Sequence, residues 1–138
     1  LEEAVLEARE RTLGAEHPNT LTSKHNLAST LKAQGDLAGA RSLQEAALEA
    51  RERTLGAEHP DTLTSKNNLA FALWQLKELP QALHLLQQAY TGRIKLLGQQ
   101  HPDTIDTGKA LLALMREMGM QPEAMALFAE LRNASNAG

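Results

Sequence analysis

The sequence predicts an all-α protein, a solenoid of about three repeated pairs of antiparallel helices. Two observations lead to this prediction. Leu13, Leu55 and Leu97 recur every 42 residues, and residues 1–28 match residues 43–70 at nearly every position. A fixed period of this size is typical of stacked supersecondary units, each of which buries its apolar face against the next. No segment alternates apolar and polar residues with a period of two, so no β-strands are expected.

The period divides the chain into four segments within one expected domain, residues 1–138. Residues 1–14 are predicted to be the second helix of a truncated repeat, and residues 17–56, 59–98 and 101–138 are three fuller repeats. Because the chain begins at Leu1 and not at a methionine, we expect it to be a fragment of a longer protein.

Composition excludes several classes of protein. Hydrophobic residues make up 42% of the 138 residues and aromatic residues only 3%, so the core is built from Leu and Ala, which favour helices. The 14 Lys and Arg residues are outnumbered by 17 Asp and Glu residues, which disfavours binding of nucleic acid, RNA included. The absence of cysteine excludes disulfides and thiolate metal sites, and no apolar run is long enough to cross a membrane. We expect a cytoplasmic protein with no cofactor, no nucleic-acid partner and no membrane partner.

In the first unit, the spacing of apolar residues predicts a helix over 18–34 and a second over about 37–54. Gly35 suits the left-handed end of the first helix, and Asp36 suits the N-cap of the second. The apolar residues of both helices follow the 3.6-residue period of an amphipathic helix. They are Leu21, Leu27, Ala28 and Leu31 in the first helix, and Leu37, Ala40, Leu43, Ala47 and Leu48 in the second.

The second and third units repeat this pattern. Pro80 and Pro122 fall in the first turn of the second helices, where proline is tolerated. The predicted apolar stripes of the second unit are Leu63, Leu69, Ala70 and Leu73, then Ala82, Leu85, Leu86, Ala89 and Tyr90. Those of the third unit are Ile105, Leu111, Leu112 and Met115, then Ala124, Leu127, Phe128 and Leu131.

A recurring loop, LGxxHPxT, links the units and carries a histidine in each copy. Its glycine ends one helix, because glycine adopts a positive φ at almost no steric cost. Its proline favours the first helical position and forces the preceding residue into an extended conformation. His17, His59 and His101 are therefore predicted to be the N-caps of the next helices.

A metal site or a catalytic site is disfavoured. Equivalent histidines in stacked helices lie about 8–10 Å apart from layer to layer, whereas zinc ligands must converge on one ion. Ser23-Lys24 and Ser65-Lys66 are poor nucleophile and base pairs, since adjacent helical residues point about 100° apart. We predict no catalytic residue, no metal ligand and no enzymatic activity.

The repeated pattern resembles the tetratricopeptide repeat. Its landmarks are Leu27-Ala28-x-x-Leu31 with Gly35 and Ala40, Leu69-Ala70-x-x-Leu73 with Ala82-x-x-x-Leu86, and Leu111-Leu112-x-x-Met115 with Gly119 and Ala124-x-x-x-Phe128. The 42-residue unit, the LGxxHPxT loop and the NLA triplets at 26–28 and 68–70 resemble the kinesin-light-chain class of this repeat. Lys24, Lys66 and Gly108 stand where the family often has tryptophan, and Lys77 replaces the turn glycine.

The resemblance implies a right-handed superhelix whose first helices line a concave groove that binds peptides. In the kinesin-light-chain class, groove asparagines engage the peptide backbone, and the matching residues here are Asn26 and Asn68. Ala110 occupies this position in the third unit, so the row of asparagines stops there.

The helical wheel adds residues to this predicted face. Phe71 is an aromatic residue on the polar side of its helix, and Trp74 lies at the border between core and groove. We hypothesise a peptide-binding face that favours an acidic residue near an apolar one, formed by Asn26, Lys32, Asn67, Asn68, Phe71, Trp74, Lys109 and Arg116. The alternative is that the charges form a solvated helix flank and that Trp74 packs between units.

A second hypothesis is self-assembly into a homo-oligomer through the open ends of the solenoid. At one end the apolar residues Leu1, Val5 and Leu6 need a partner. At the other end, Leu127 and Leu131 are expected to be partly exposed. Apolar ends of this kind favour end-to-end contact between copies.

Overall fold

A computed structural model describes residues 2–13 and 18–137, and this part of the chain is entirely helical apart from short turns. The helices are α1 (Glu2–Leu13), α2 (Pro18–Ala33), α3 (Leu37–Leu55), α4 (Pro60–Gln75), α5 (Leu79–Leu97), α6 (Pro102–Glu117) and α7 (Gln121–Ala137). The predicted all-α class is confirmed. The predicted residues Leu1 and His17, and the side chain of Leu21, lie outside what the structure describes.

Each helix packs against its neighbours in the chain, from α1 on α2 through to α6 on α7. Contacts therefore run from one helix to the next, which is the packing of a solenoid and not of a closed bundle. The first helices of the three units are α2, α4 and α6, and the second helices are α3, α5 and α7.

The loops between units form as the sequence predicts. His59 and His101 are the N-caps of α4 and α6, each with extended backbone, and the proline that follows each histidine is the first helical residue. In both loops the histidine Nδ1 accepts a hydrogen bond 3.1 Å long from the backbone N–H two residues on. These imidazoles thus satisfy a free N–H of their own helix, as a capping side chain does.

Each turn within a unit contains one residue in the left-handed conformation, at the same position of the repeat. Gly35, Lys77 and Gly119 occupy equivalent positions and have φ of 88°, 65° and 74°. Each turn is closed by a backbone hydrogen bond spanning five residues, such as that from Glu78 N–H to the Leu73 carbonyl. This is the Schellman arrangement, and Lys77 is the one non-glycine residue that adopts it in the described part of the chain. Asp36 caps α3 by accepting a 2.9 Å hydrogen bond from Gly39 N–H.

The core joins α3 to α7 in one cluster built largely from the predicted stripes. Its buried members are Leu48, Leu69, Ala70, Leu73, Ala82, Leu86, Tyr90, Leu111, Leu112, Leu114, Met115, Ala124, Leu127 and Leu131. Leu27, Ala28, Ala40, Ala47, Leu63 and Ala89 are also buried. The remaining described residues of the stripes, Phe128 excepted, are half-buried, because they lie at the edges of the helix interfaces.

The sequence predictions for α7 are wrong at three residues. Phe128, placed in the apolar stripe, is 46% exposed, whereas Leu86 at the same position one unit earlier is fully buried where α6 packs on α5. Within the part of the chain that the structure describes, no helix packs on this face of α7. Leu127 and Leu131, expected to be partly exposed, are buried at 6% each, because they face α6 and the core.

Gly108 makes the close packing of Leu131 possible. A Cβ at this position would lie 2.6 Å from a methyl carbon of Leu131 and 2.9 Å from the Tyr90 ring. In the second unit Lys66 occupies the position of Gly108, and the smaller residues Leu48 and Ala89 stand in place of Tyr90 and Leu131. In the third unit a small residue faces two large ones, whereas in the second unit a large residue faces two smaller ones. Both arrangements fill the space between the helices, as close packing requires.

Candidate functional site

The eight residues of the predicted peptide-binding face all lie on the first helices of the units. Asn26 and Lys32 lie on α2, Asn67, Asn68, Phe71 and Trp74 on α4, and Lys109 and Arg116 on α6. Asn26, Lys109 and Arg116 are exposed and the other five are half-buried. All eight therefore keep surface that a ligand can reach.

Phe71 and Trp74 form a stacked aromatic pair at the surface of α4. Their ring centroids are 6.1 Å apart and the ring planes differ by 7°, which is the offset-stacked geometry that aromatic rings prefer. The residues are three apart, so they lie one turn from each other on the same side of the helix. Trp74 also packs against the edge of the core cluster, which restricts its side chain.

Glu117, at the end of α6, fixes the orientation of the Trp74 indole. The indole N–H donates a 3.0 Å hydrogen bond to Oε2 of Glu117, across the boundary between the second and third units. Sequence reasoning missed this residue, because Gln75 and Ala33 at the equivalent positions show no pattern. A half-buried tryptophan needs an acceptor for its N–H. This requirement indicates a polar residue in the neighbouring unit, and it is the one signal in the sequence that points to Glu117.

The adjacent asparagines Asn67 and Asn68 face different neighbours. Asn67 Oδ1 lies 3.5 Å from the Thr107 hydroxyl of α6, at the limit of a hydrogen bond. Asn68 lines a small gap between α3 and α4 beside Gln44 and Ser65. Asn67, at spacings of four and seven, shares the side of α4 that carries Phe71 and Trp74, whereas Asn68 is about 100° away around the helix.

The basic residues of the predicted face do not form one cluster. The Arg116 guanidinium lies over the Phe128 ring at 5.6 Å from its centroid, and Arg132 lies at 5.9 Å from the same ring. These are cation–π distances, so Arg116 is engaged with α7. Lys109 is exposed at the position of α6 that corresponds to Asn67 on α4, and its ammonium group forms no ion pair or hydrogen bond with a described residue.

Two arginines that sequence reasoning did not identify hold the first helices in place. Arg93 of α5 donates hydrogen bonds to the hydroxyls of Thr107 on α6 and Thr64 on α4, at 2.5 and 3.3 Å. Arg51 makes the corresponding 2.6 Å hydrogen bond to the Ser65 hydroxyl. Arg51 and Arg93 are 42 residues apart in the sequence, but their equivalent partners Ser65 and Thr107 lie fourteen residues on, in the next unit. These contacts set the position of α4 and α6, and with it the shape of the face.

Tyr90, the one tyrosine of the chain, lies in the core beneath α6. Burial raises the pKa of its hydroxyl to about 12, and the charge of Glu130 and a hydrogen bond to it add to the effect. Tyr90 is therefore neutral at physiological pH and acts as a packing residue with one polar contact.

Within the described ranges, no three His, Asp or Glu side chains come together as a metal site would require. None of the described helices is both long and apolar enough to cross a membrane.

The helix pairs, the 42-residue period and the aromatic and polar face of the first helices define a helical-repeat protein, a class that typically provides a scaffold for other proteins. The family described as tetratricopeptide repeat matches residues 3–51, 23–95 and 66–137. These matches extend over nearly the whole chain. The chain therefore belongs to the tetratricopeptide repeat family, and its repeats are of the kinesin-light-chain-like kind.

Solved structures with the same fold support this assignment. The crystal structure of nearly identical tetratricopeptide-like repeats, assigned to a kinesin light chain of Podospora anserina, superimposes with a TM-score of 0.89 at 31% identity over 94% of this chain. BtubC (BKLC) from P. vanneervenii superimposes over 99% of this chain with a TM-score of 0.89 at 24% identity, which shows the fold alone. The chain spans 62% and 54% of these two proteins. No functionally curated protein matches the sequence.

Proposed function

We propose that this chain is a non-catalytic scaffold that binds a peptide segment of a partner protein along its first helices. The observation that carries the proposal is the stacked pair of Phe71 and Trp74, half-buried and locked by Glu117. The chain has only four aromatic residues, and two of them form this one surface feature. Rigid aromatic residues, and tryptophan in particular, are common among the residues that carry most of the binding energy of protein interfaces.

The aromatic pair suits an apolar side chain of the ligand. Because Trp74 is already held by the core and by Glu117, little conformational entropy is lost when a ligand packs against it. Asn67 lies on the same side of α4, where its amide can bond the ligand backbone. Asn26 and Asn68, the residues that match the asparagines of the kinesin-light-chain class, remain further candidates for this role.

Charge favours a ligand with an acidic residue beside the apolar one. Lys109 is exposed without a described partner, and Lys32 adds a positive charge on α2. Glu117 places a negative charge next to Trp74, so the acid of the ligand belongs on the Lys109 side of the aromatic pair. Lys109 and Glu117 are eight residues apart on α6, or about 12 Å. An acidic group of the ligand can therefore lie near Lys109 without approaching Glu117.

The competing explanation is that Trp74 only joins two units. Its bond to Glu117 and its contact with the core both stabilise that junction, whatever the protein binds. Phe71 and Asn67 distinguish the two explanations, because neither makes the bond to Glu117.

The experiment selects peptides on this protein by display and then measures the affinity of the best peptide for three variants. Phe71→Leu keeps the apolar bulk but removes the ring, Asn67→Ala removes the amide, and Gln81→Ala changes an exposed residue of α5 as the control. We expect a Kd at least tenfold weaker for Phe71→Leu, and about threefold to tenfold weaker for Asn67→Ala, with no change for the control. If Phe71→Leu and Asn67→Ala both bind the peptide with unchanged affinity and keep the melting temperature of the wild type, the proposal is wrong. Trp74 would then serve only to stabilise the junction between the two units.

A second candidate function is self-association, and the exposed apolar residues of the terminal helices favour it. Met125 and Phe128 on α7 are 69% and 46% exposed, and Val5 on α1 is also exposed. Light scattering across a hundredfold range of concentration tests it, because association raises the mean mass while a monomer keeps one mass. Location in the cytoplasm remains part of the proposed role and is tested by fractionation of cells that express this protein.

A further inference from the structure

We propose that the second unit carries an anion-binding site for the carboxylate of an acidic side chain, separate from the face on the first helices. The site is a cavity of about 380 Å³ between the loop before α4, α4 itself and α5. Its lining includes Glu58, Lys66, His84, Gln87, Gln88 and Thr91. Lys66 is five residues from Phe71 and eight from Trp74 on α4, so the cavity lies about 140° around the helix from Phe71 and about 80° from Trp74.

Lys66 supplies the positive charge of the site. The residue is only 6% exposed, so its aliphatic stem is buried, and its ammonium forms no ion pair or hydrogen bond with any described residue. The ammonium keeps access to the solvent of the cavity, as the charged ends of lysine side chains generally do. A carboxylate in the cavity would replace that solvent as the acceptor for the ammonium.

Neutral donors surround the same cavity. Nε2 of Gln88 lies 2.9 Å from Nε2 of His84. The amide nitrogen is a donor only, so it donates to His84 Nε2, and the imidazole proton is then on Nδ1. His84 Nδ1–H, the Gln87 amide and the Thr91 hydroxyl add further donors to the lining. The site thus combines one cation with several neutral donors.

The charge balance favours a carboxylate over a phosphate. Glu58, also in the lining, is bound by Lys95 at 3.0 Å, so one carboxylate already lies at this edge of the cavity. Because Glu58 is already paired with Lys95, Lys66, the one lysine of the lining, is left for the ligand. One carboxylate balances this single positive charge, whereas a dianion would leave an excess negative charge beside Glu58.

The site belongs to the second unit alone. In the first unit the positions of His84, Gln88 and Thr91 hold Ser42, Ala46 and Glu49. In the third unit the position of Lys66 holds Gly108, and the space is filled by Leu131 and Tyr90. If Lys66 served only the fold, it would not need the hydrogen-bond donors His84, Gln88 and Thr91 beside it. The neighbouring units fold without this combination of residues.

NMR titration of the protein with sodium acetate tests the site, with sodium chloride at equal ionic strength as the reference. Acetate stands in for the acidic side chain. We expect saturable shifts of the backbone amides of Lys66, Gln88 and Thr91 in the wild type. Lys66→Met keeps the aliphatic stem and is expected to weaken binding at least tenfold, while Lys66→Arg keeps it. Lys24→Met removes the matching charge of the first unit and leaves binding unchanged.

Gln88→Ala, at an exposed position, provides a second variant should Lys66→Met lower the thermal stability, and it is expected to weaken acetate binding at least threefold. Shifts that do not saturate, or that persist unchanged in both variants, would overturn the proposal. Tighter binding of inorganic phosphate than of acetate at these amides would overturn the choice of a carboxylate. Peptide binding by the face of Phe71 and Trp74 is independent of all these outcomes.

Discussion

The indole N–H of Trp74 on α4 donates a hydrogen bond to Oε2 of Glu117 on α6. This bond links the first helices of two successive units through the one tryptophan of the chain. It explains how an aromatic residue can remain at the surface in a fixed orientation.

Glu117→Ala should loosen Trp74 without unfolding the protein. The bond is exposed to solvent, so we expect a loss of about 0.5–1.5 kcal/mol in the free energy of unfolding. Trp74 fluorescence should shift to longer wavelength, because the freed indole becomes more hydrated. Urea unfolding and emission spectra measure both effects, with Glu123→Ala on α7 as the control. An unchanged spectrum would show that the core alone holds Trp74.

Lys77→Gly should stabilise the protein by about 0.5–1 kcal/mol. Lys77 has a φ of 65°, which costs an L-residue with a side chain about 1–2 kcal/mol, and the greater freedom of glycine when unfolded offsets part of the gain. Gly119→Ala makes the reverse change at the equivalent turn. A Cβ there meets no atom within 4 Å, so its expected loss of about 1 kcal/mol comes from the backbone alone. Thermal unfolding that shifts both variants in the same direction would contradict this explanation.

Gly108→Ala should destabilise the junction of α6 and α7 by about 1–2 kcal/mol, because the new methyl group meets Leu131 and Tyr90. In the background of Leu131→Ala, which copies Ala89 of the second unit, much of this cost should disappear. A double-mutant cycle from urea unfolding measures the coupling. Additive effects would mean that the two residues do not share the space between α6 and α7.

Tyr90 should make stability fall at high pH. Its pKa is raised to about 12 in the folded protein from an ordinary value of 10, so the neutral form is favoured by folding. The contribution to stability is complete below pH 10 and is lost as the pH rises from 10 towards 12. At pH 11 the phenolate absorbance should be lower in buffer than in concentrated urea. Equal absorbance under the two conditions would show that burial and Glu130 do not affect the titration.

The fold could be predicted from the sequence because its signals are local. The helix caps at His59 and His101, the turn at Gly35 and the apolar stripes each depend on a few neighbouring residues, and the repeat multiplies every signal. The period also fixes which helix follows which, and in a solenoid this order determines the packing.

Contacts between units were harder to predict, since they depend on how one helix faces the next. The hydrogen bond from Trp74 to Glu117 and those from Arg93 join residues of different helices. The spacing of residues within one helix does not show which residue of another helix they contact. Phe128 shows the same limit. Its pattern is that of a core residue, but its exposure depends on whether a further helix covers it.

Trp74 itself provides the most direct measurement of the proposed function. A peptide selected on this protein should change Trp74 emission in a saturable way, shifting it to shorter wavelength as water leaves the aromatic pair. The same titration of Phe71→Leu should require at least tenfold more peptide to reach half-saturation. A peptide that binds with unchanged emission, and equally well to Phe71→Leu, would contradict the account, because it would place the binding surface elsewhere.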